Sequence, residues 1–79
     1  MFISVGYKNY VAINRVVSVM VPNSAPIKRM VAEARDSGLL VDVTLGHPTR
    51  SVLVTDSEHV ILTAVSPDKL IGRVKNDKN

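Results

Sequence analysis

The sequence predicts an α+β domain: a small, mostly antiparallel sheet with one central amphipathic helix and a short C-terminal helix. Three observations lead there. The 14 Val and 5 Ile among 79 residues fall mostly in short runs separated by Gly, Pro, Asn and Asp, the alternation expected of strands and tight turns. Ile27, Met30, Val31 and Ala34 recur at i, i+3, i+4 and i+7, which lays one apolar stripe along a helix. Ser66-Pro67-Asp68 reads as a second helix start, with a capping hydroxyl, a proline where no N–H bond is lost, and an acid at the positive end of the dipole.

Taken in order, Phe2 to Val5 is a short apolar strand, and Gly6-Tyr7-Lys8-Asn9 is a hairpin-like turn. Tyr10 to Val21 is rich in Val and Ile but broken by Asn14-Arg15, so it reads as two strands or one strand bent at that pair, ended by Pro22. Ser24 is placed to cap the first helix, Pro26 lies in its first turn, and Gly38 supplies the left-handed residue that closes it. Arg29 and Glu33 are spaced to pair across one turn. Leu40 to Leu45 predicts a strand with Val41, Val43 and Leu45 on one face and Asp42 and Thr44 on the other. Gly46-His47-Pro48-Thr49 is a loop, and Arg50 to Thr55 is the strand expected to form a hairpin with the preceding one. After the turn Asp56-Ser57-Glu58, the run Val60 to Val65 is too uniformly apolar for an exposed strand and is expected near the middle of the sheet. The second helix reaches about Val74. Residues 1–75 then form a single domain, and 76–79, with no apolar side chain, are expected to fray as a basic tail.

A chain of this length buries only about 60% of the surface its unfolded form exposes, and without cysteine it has no disulfide or thiolate metal site. Self-association is the reinforcement left, and a homo-oligomer larger than a dimer is expected. Net charge is +3, but it is segmented: +4 over residues 1–35, −4 over 36–68 and +3 from Lys69 onward. Segments of opposite sign suit head-to-tail neighbours, because like charges brought together in an interface are repulsive. The beginning Met1-Phe2-Ile3-Ser4-Val5 has no basic lead-in and no long apolar run, so neither a signal peptide nor a membrane span is expected, and the predicted location is cytoplasmic.

Catalysis is not expected. Alternation sends Glu58 and His59 to opposite faces, His47 lies in a turn beside Pro48, and the four glycines are scattered, so no nucleotide-binding loop, metalloprotease motif or nucleophile elbow is present. His59 reads as a partly buried ring held by hydrogen bonds, not as a metal ligand. No cofactor, metal, membrane or small-molecule substrate is predicted. The chemistry that remains lies in the cations. Arg15 and Arg50 each interrupt or open a strand-rich stretch and carry a fork that can grip a phosphate, although composition alone favours, for each, a solvated surface residue or a salt bridge to a central-segment carboxylate. Lys28 and Arg35 lie one heptad apart on the first helix, with Arg29 partly round the same polar side.

Longer runs carry a resemblance. Asn14-Arg15, Ser24-Ala25-Pro26-Ile27-Lys28-Arg29, Glu33 through Thr44, Gly46 with Thr49-Arg50, and Asp56-Ser57-Glu58-His59-Val60-Ile61-Leu62 together resemble the RemA family, small bacterial regulators of extracellular-matrix (biofilm) genes. The resemblance runs from about Val5 to Pro67. It implies a non-enzymatic transcriptional regulator that binds double-stranded DNA, with a fold like the LytTR-type DNA-binding domain and subunits assembled into rings. DNA contacts are then expected from Arg50 and Arg15, with Lys8, Lys28 and Arg29 in support. One departure matters. DNA-binding members typically carry two arginines directly after the glycine matching Gly46, where this chain has His47-Pro48. Two fixed charges are lost per subunit, so binding is expected to be weaker per subunit, relocated, or lost in a protein that keeps the assembly alone.

Overall fold

Val52, Val54, Val60 and Leu62 point one way from a shared pair of strands while Leu53 and Ile61 point the other, which gives the protein an apolar layer on each face of one sheet. The computed structural model describes residues 1–77, with side chains as far as Val74. In chain order the elements are β1 (Phe2–Gly6), β2 (Asn9–Ala12), a 3-10 turn (Ile13–Arg15), β3 (Val16–Met20), α1 (Ala25–Asp36), β4 (Leu40–Asp42), β5 (Ser51–Thr55), β6 (Val60–Thr63) and α2 (Pro67–Asp77). The predicted α+β class is what forms, with the strands in two sheets instead of one. β1 and β2 make an antiparallel pair, and the other four run β3-β5-β6-β4.

The bend expected at Asn14-Arg15 is the 3-10 turn, which carries the chain from the first sheet to the second. β3–β5 and β5–β6 are antiparallel, whereas β4 lies parallel to β6, with Val41 opposite Ile61. The hairpin predicted between β4 and β5 is therefore wrong. β6 is the central strand that its continuous apolar run demanded, and it takes β4 and β5 as its two neighbours. The long strand predicted to Leu45 is also shorter. An Asp42 carboxylate oxygen accepts from the Thr44 amide at 2.9 Å and from its hydroxyl at 2.6 Å. That local loop competes with further pairing, buries Thr44 and leaves Leu45 68% exposed.

α1 covers one layer as its stripe predicts. Ala34 is buried, and Ile27, Met30 and Val31 are half-buried against Val52, Val60 and Leu62. Gly38 closes it at φ 74°. Ser24 stands at the N-cap position and its carbonyl accepts from the Lys28 amide, but its hydroxyl makes no capping bond. The anticipated Arg29–Glu33 pair does not form; among the described residues the ion pair found is Arg15 with Asp56. On the other face, Ile3 and Val5 of β1 and Leu70 of α2 close over Leu53 and Ile61. α2 runs to Asp77, further than expected, which takes residues 76 and 77 of the anticipated frayed tail into the helix; Lys78 and Asn79 lie outside the described residues.

Buried polar groups tie the two layers. The fully buried Thr63 hydroxyl donates to the Val5 carbonyl at 2.5 Å and accepts from the Val65 amide at 3.1 Å. Ser51, also fully buried, donates to the Val65 carbonyl at 2.6 Å. Thr63→Val keeps the shape but orphans the Val5 carbonyl, and urea unfolding is expected to register a loss of about 1–3 kcal/mol. Asp42 gives a pH-dependent counterpart. Its carboxyl is held below the ordinary range by the Thr44 hydroxyl, then the Thr44 amide and Arg35, against a smaller opposing effect of burial. Because the folded state favours the charged form, its contribution is present above pH ~4 and fades as the pH falls through the depressed folded value. Asp42→Ala is expected to cost about 0.5–1.5 kcal/mol at pH 7 and to converge on the parent in acid, as read from thermal midpoints across a pH series.

Candidate nucleic-acid interface

Two tight turns build one end of the molecule. In the first, the His47 amide donates to the Thr44 carbonyl at 3.1 Å, and both residues between, Leu45 (φ 53°) and Gly46 (φ 84°), are left-handed. Positive φ at both central positions is the type I′ pattern. The β1–β2 hairpin reverses the same way through Tyr7 (φ 52°) and Lys8 (φ 65°), and the Asn9 side chain supports it by donating to the carbonyls of Gly6 at 3.2 Å and Tyr7 at 3.3 Å. A non-glycine residue held left-handed costs roughly 1–2 kcal/mol, so Tyr7, Lys8 and Leu45 concentrate strain here, as functional surfaces often do. The turns meet in a stack of the Tyr7 and His47 rings, centroids 5.4 Å apart and planes 16° from parallel.

Arg50 stands between two clefts beside this stack. One, of about 220 Å³, is lined by Tyr7, His47, Pro48, Arg50 and Ala64. The other, of about 150 Å³, is lined by Arg50, Ala64, Val65, Ser66, Lys69 and Arg73. The segment is fixed by the Arg50 amide, which donates to the Thr63 carbonyl at 2.8 Å. On the far wall, Ser66 caps α2 by accepting from the Lys69 amide at 3.4 Å, and Arg73 donates to the Ser4 carbonyl at 2.7 Å. Among the described residues, none lining either cleft is acidic.

Of the residues singled out in the sequence, Arg50, His47 and Pro48 come together here, and Lys8 occupies the same turn as Tyr7. Lys28 lies one step away, in a shallow groove with Pro22, Val31, Arg35, Thr49 and Leu62 that reaches the loop at Thr49. Arg29 is exposed on α1 and lines none of these hollows. Arg15 is elsewhere: its Nε donates to both Asp56 carboxylate oxygens at 2.8 Å, beyond the opposite end of β5, about 20 Å of strand from Arg50. Tyr7, Lys69 and Arg73 were not singled out. The spacing of Lys69 and Arg73, one helical turn apart, was the signal that could have found the last two. His59 is half-buried with Nδ1 at 2.8 Å from the Ser57 hydroxyl. Among the described residues no group of three His, Asp or Glu side chains is placed to hold a metal, and no helix is long and apolar enough to cross a membrane.

A family model described as RemA-like, extracellular matrix regulatory protein A-like, matches residues 2–74. The chain belongs to the RemA-like family. Its relatives match over most of their own length. A protein of Carboxydothermus hydrogenoformans is 49% identical over 78 residues, covering 99% of this chain and 90% of its own. One from Desulforudis audaxviator is 53% identical over 72 residues, covering 91% of this chain and 76% of its own. Both bear the name "Putative regulatory protein". A third, from Clostridium novyi, is 50% identical over 74 residues, covering 94% of this chain and 82% of its own, and bears a regulatory-protein name as well.

Proposed function

We propose that this RemA-like protein is a transcriptional regulator of extracellular-matrix genes that binds double-stranded DNA in the cytoplasm as a ring-shaped homo-oligomer. The regulatory part rests on the family and on its relatives' names. The observation that carries DNA binding is the Arg50 end: cationic clefts without a lining carboxylate, beside an exposed hairpin turn carrying Lys8. Cations so gathered bind phosphates and release counterions whatever the base sequence.

Assembly is supported by what lies along α1. On one side an apolar groove of about 280 Å³ has Met30, Ala34, Leu39, Val54 and Val60 in its lining and carries Glu33 and Glu58. The groove on the other side carries Lys28 and Arg35 around Val31 and Leu62. Different surfaces of opposite sign suit head-to-tail contacts, which close into a ring when the rotation per subunit allows. A ring repeats Arg50 on every subunit, and linked sites raise avidity by about a hundredfold or more when geometry permits.

Band shifts with random and promoter-like duplexes at two salt concentrations test the reading, alongside light scattering. Steep salt dependence is expected, with Arg50→Ala weakening every duplex more than Lys75→Ala, which removes the same charge from a different segment. Equal losses would mean that gross charge alone is responsible. A scattering mass near the 8.6 kDa of one chain would exclude the ring. An intact assembly without duplex binding would favour the other reading, an interaction protein that has lost DNA, for which the His47-Pro48 pair is the sequence argument.

A further inference from the structure

We propose that the cleft between Arg50 and α2 is a phosphate-binding subsite, formed by Arg50, Ser66, Lys69 and Arg73. Three observations carry it. First, three cations from two separate parts of the chain line one hollow of about 150 Å³, and among the described residues none of its other lining residues is acidic. A water needs only about 10–15 Å³ on the same measure, so a phosphate group fits with waters beside it.

Second, three like charges crowd this hollow, with Asp68 the one acid in the first turn of α2. Lys69 stands in the first turn of α2, at the positive end of the helix dipole, where a cation is disfavoured. Arg73 follows it at i+4, and like charges at that spacing destabilise a helix. Arg50 adds a third positive charge from across the cleft. A phosphate group turns each of these repulsions into an attraction.

Third, donors remain available. Arg73 is anchored through one nitrogen to the Ser4 carbonyl at 2.7 Å, which orients the guanidinium while leaving most of its five N–H donors for a ligand. The Ser66 hydroxyl accepts from the Lys69 amide at 3.4 Å and keeps its own proton to donate. Two guanidinium forks, an ammonium and a hydroxyl lining one hollow match a tetrahedral oxyanion with several acceptor oxygens. The same chemistry serves a backbone phosphate of DNA or the phosphate of a small ligand. The DNA source deepens the function proposed above and rests on it; the subsite itself does not.

The test is an amide and side-chain NMR titration of the whole assembled protein with inorganic phosphate, against sodium chloride at matched ionic strength. Saturable shifts are expected at Arg50, Ser66, Lys69 and the Arg73 side chain and not at Lys28. Lys69→Gln and Arg50→Gln should each weaken phosphate roughly tenfold, the loss of one charge-assisted hydrogen bond, while Lys28→Gln leaves it unchanged. Because Arg73 also holds Ser4, Arg73→Lys replaces truncation there, and its folding is checked by the Val5 and Thr63 amides. Adding duplex then separates the sources: displacement of bound phosphate assigns the subsite to the DNA backbone, and retention of phosphate beside bound duplex assigns it to a small ligand. A protein that binds phosphate here but no duplex would remove the DNA reading and leave the subsite standing. Shifts no larger than with chloride, equal shifts at Lys28, or an unchanged affinity in Lys69→Gln would overturn the subsite.

Discussion

Truncating Leu53 to alanine is expected to cost about 2–5 kcal/mol, the range for a buried leucine whose surroundings cannot fully collapse. Leu53 is 1% exposed at the centre of the layer where β1, β5, β6 and α2 meet, with Ile3, Val5, Ile61 and Leu70 around it. Those neighbours come from three elements besides β5 itself, so filling the hole requires several backbones to move at once. A domain this small has ~5 kcal/mol in all, so the variant is expected to be largely unfolded. Val17→Ala is the control: Val17 is 68% exposed, and surface changes of this kind stay within about 0.5 kcal/mol. Urea midpoints compare the two, and a Leu53→Ala variant within 1 kcal/mol of the parent would contradict the two-layer packing. Met30, half-buried against the other layer of Ala34, Val52, Val60 and Leu62, lies outside this core.

The second large effect concerns DNA. Under the proposed function, His47→Arg combined with Pro48→Arg restores two fixed charges per subunit next to Arg50, and the salt slope should steepen by up to about two units for each subunit that touches the duplex. Over a fourfold change in salt that amounts to roughly a tenfold difference per contacting subunit. The geometry favours the gain. His47 lies flat on Tyr7, and a guanidinium can take the same seat on that ring. Removing the proline costs at most about 1 kcal/mol through the unfolded chain, and neither β4 nor β5 is altered. Tighter duplex binding with a steeper slope is expected from titrations at several salt concentrations. An unchanged slope in an intact oligomer would show that this loop does not face DNA.

Both helices, the bend at Asn14-Arg15 and the central position of β6 were legible because each is written in local chemistry: a stripe at helical period, proline-marked starts, a polar break, an uninterrupted apolar run. The pairing of β4 was not. Val41, Val43 and Leu45 alternate properly for an edge strand, and nearness in the chain made β5 the natural partner. What decided otherwise was the demand of β6 for a neighbour on both edges, together with the capture of Thr44 by Asp42, which ended the strand after three residues. The site divided in the same way. Arg50 and the His47-Pro48 loop stand out in sequence, but Tyr7, Lys69 and Arg73 join them only through contacts between distant parts of the chain, such as Arg73 to Ser4 across 69 positions.

Those distant contacts set an order on biosynthesis. The inner face of the β1–β2 hairpin is completed by Leu70, and its strand is tied down by Thr63 and Arg73. At ~5–20 residues per second, the ribosome makes this hairpin first and its seat last, several seconds later. Throughout that interval Ile3 and Val5 have nowhere to go, and a nascent chain emerging beside others on the same message exposes them together. The end of the molecule that gathers its cations can therefore take shape only after α2 has been made, so a chain that stalls before Leu70 is expected to be a substrate for chaperones and proteases instead of a partly working subunit.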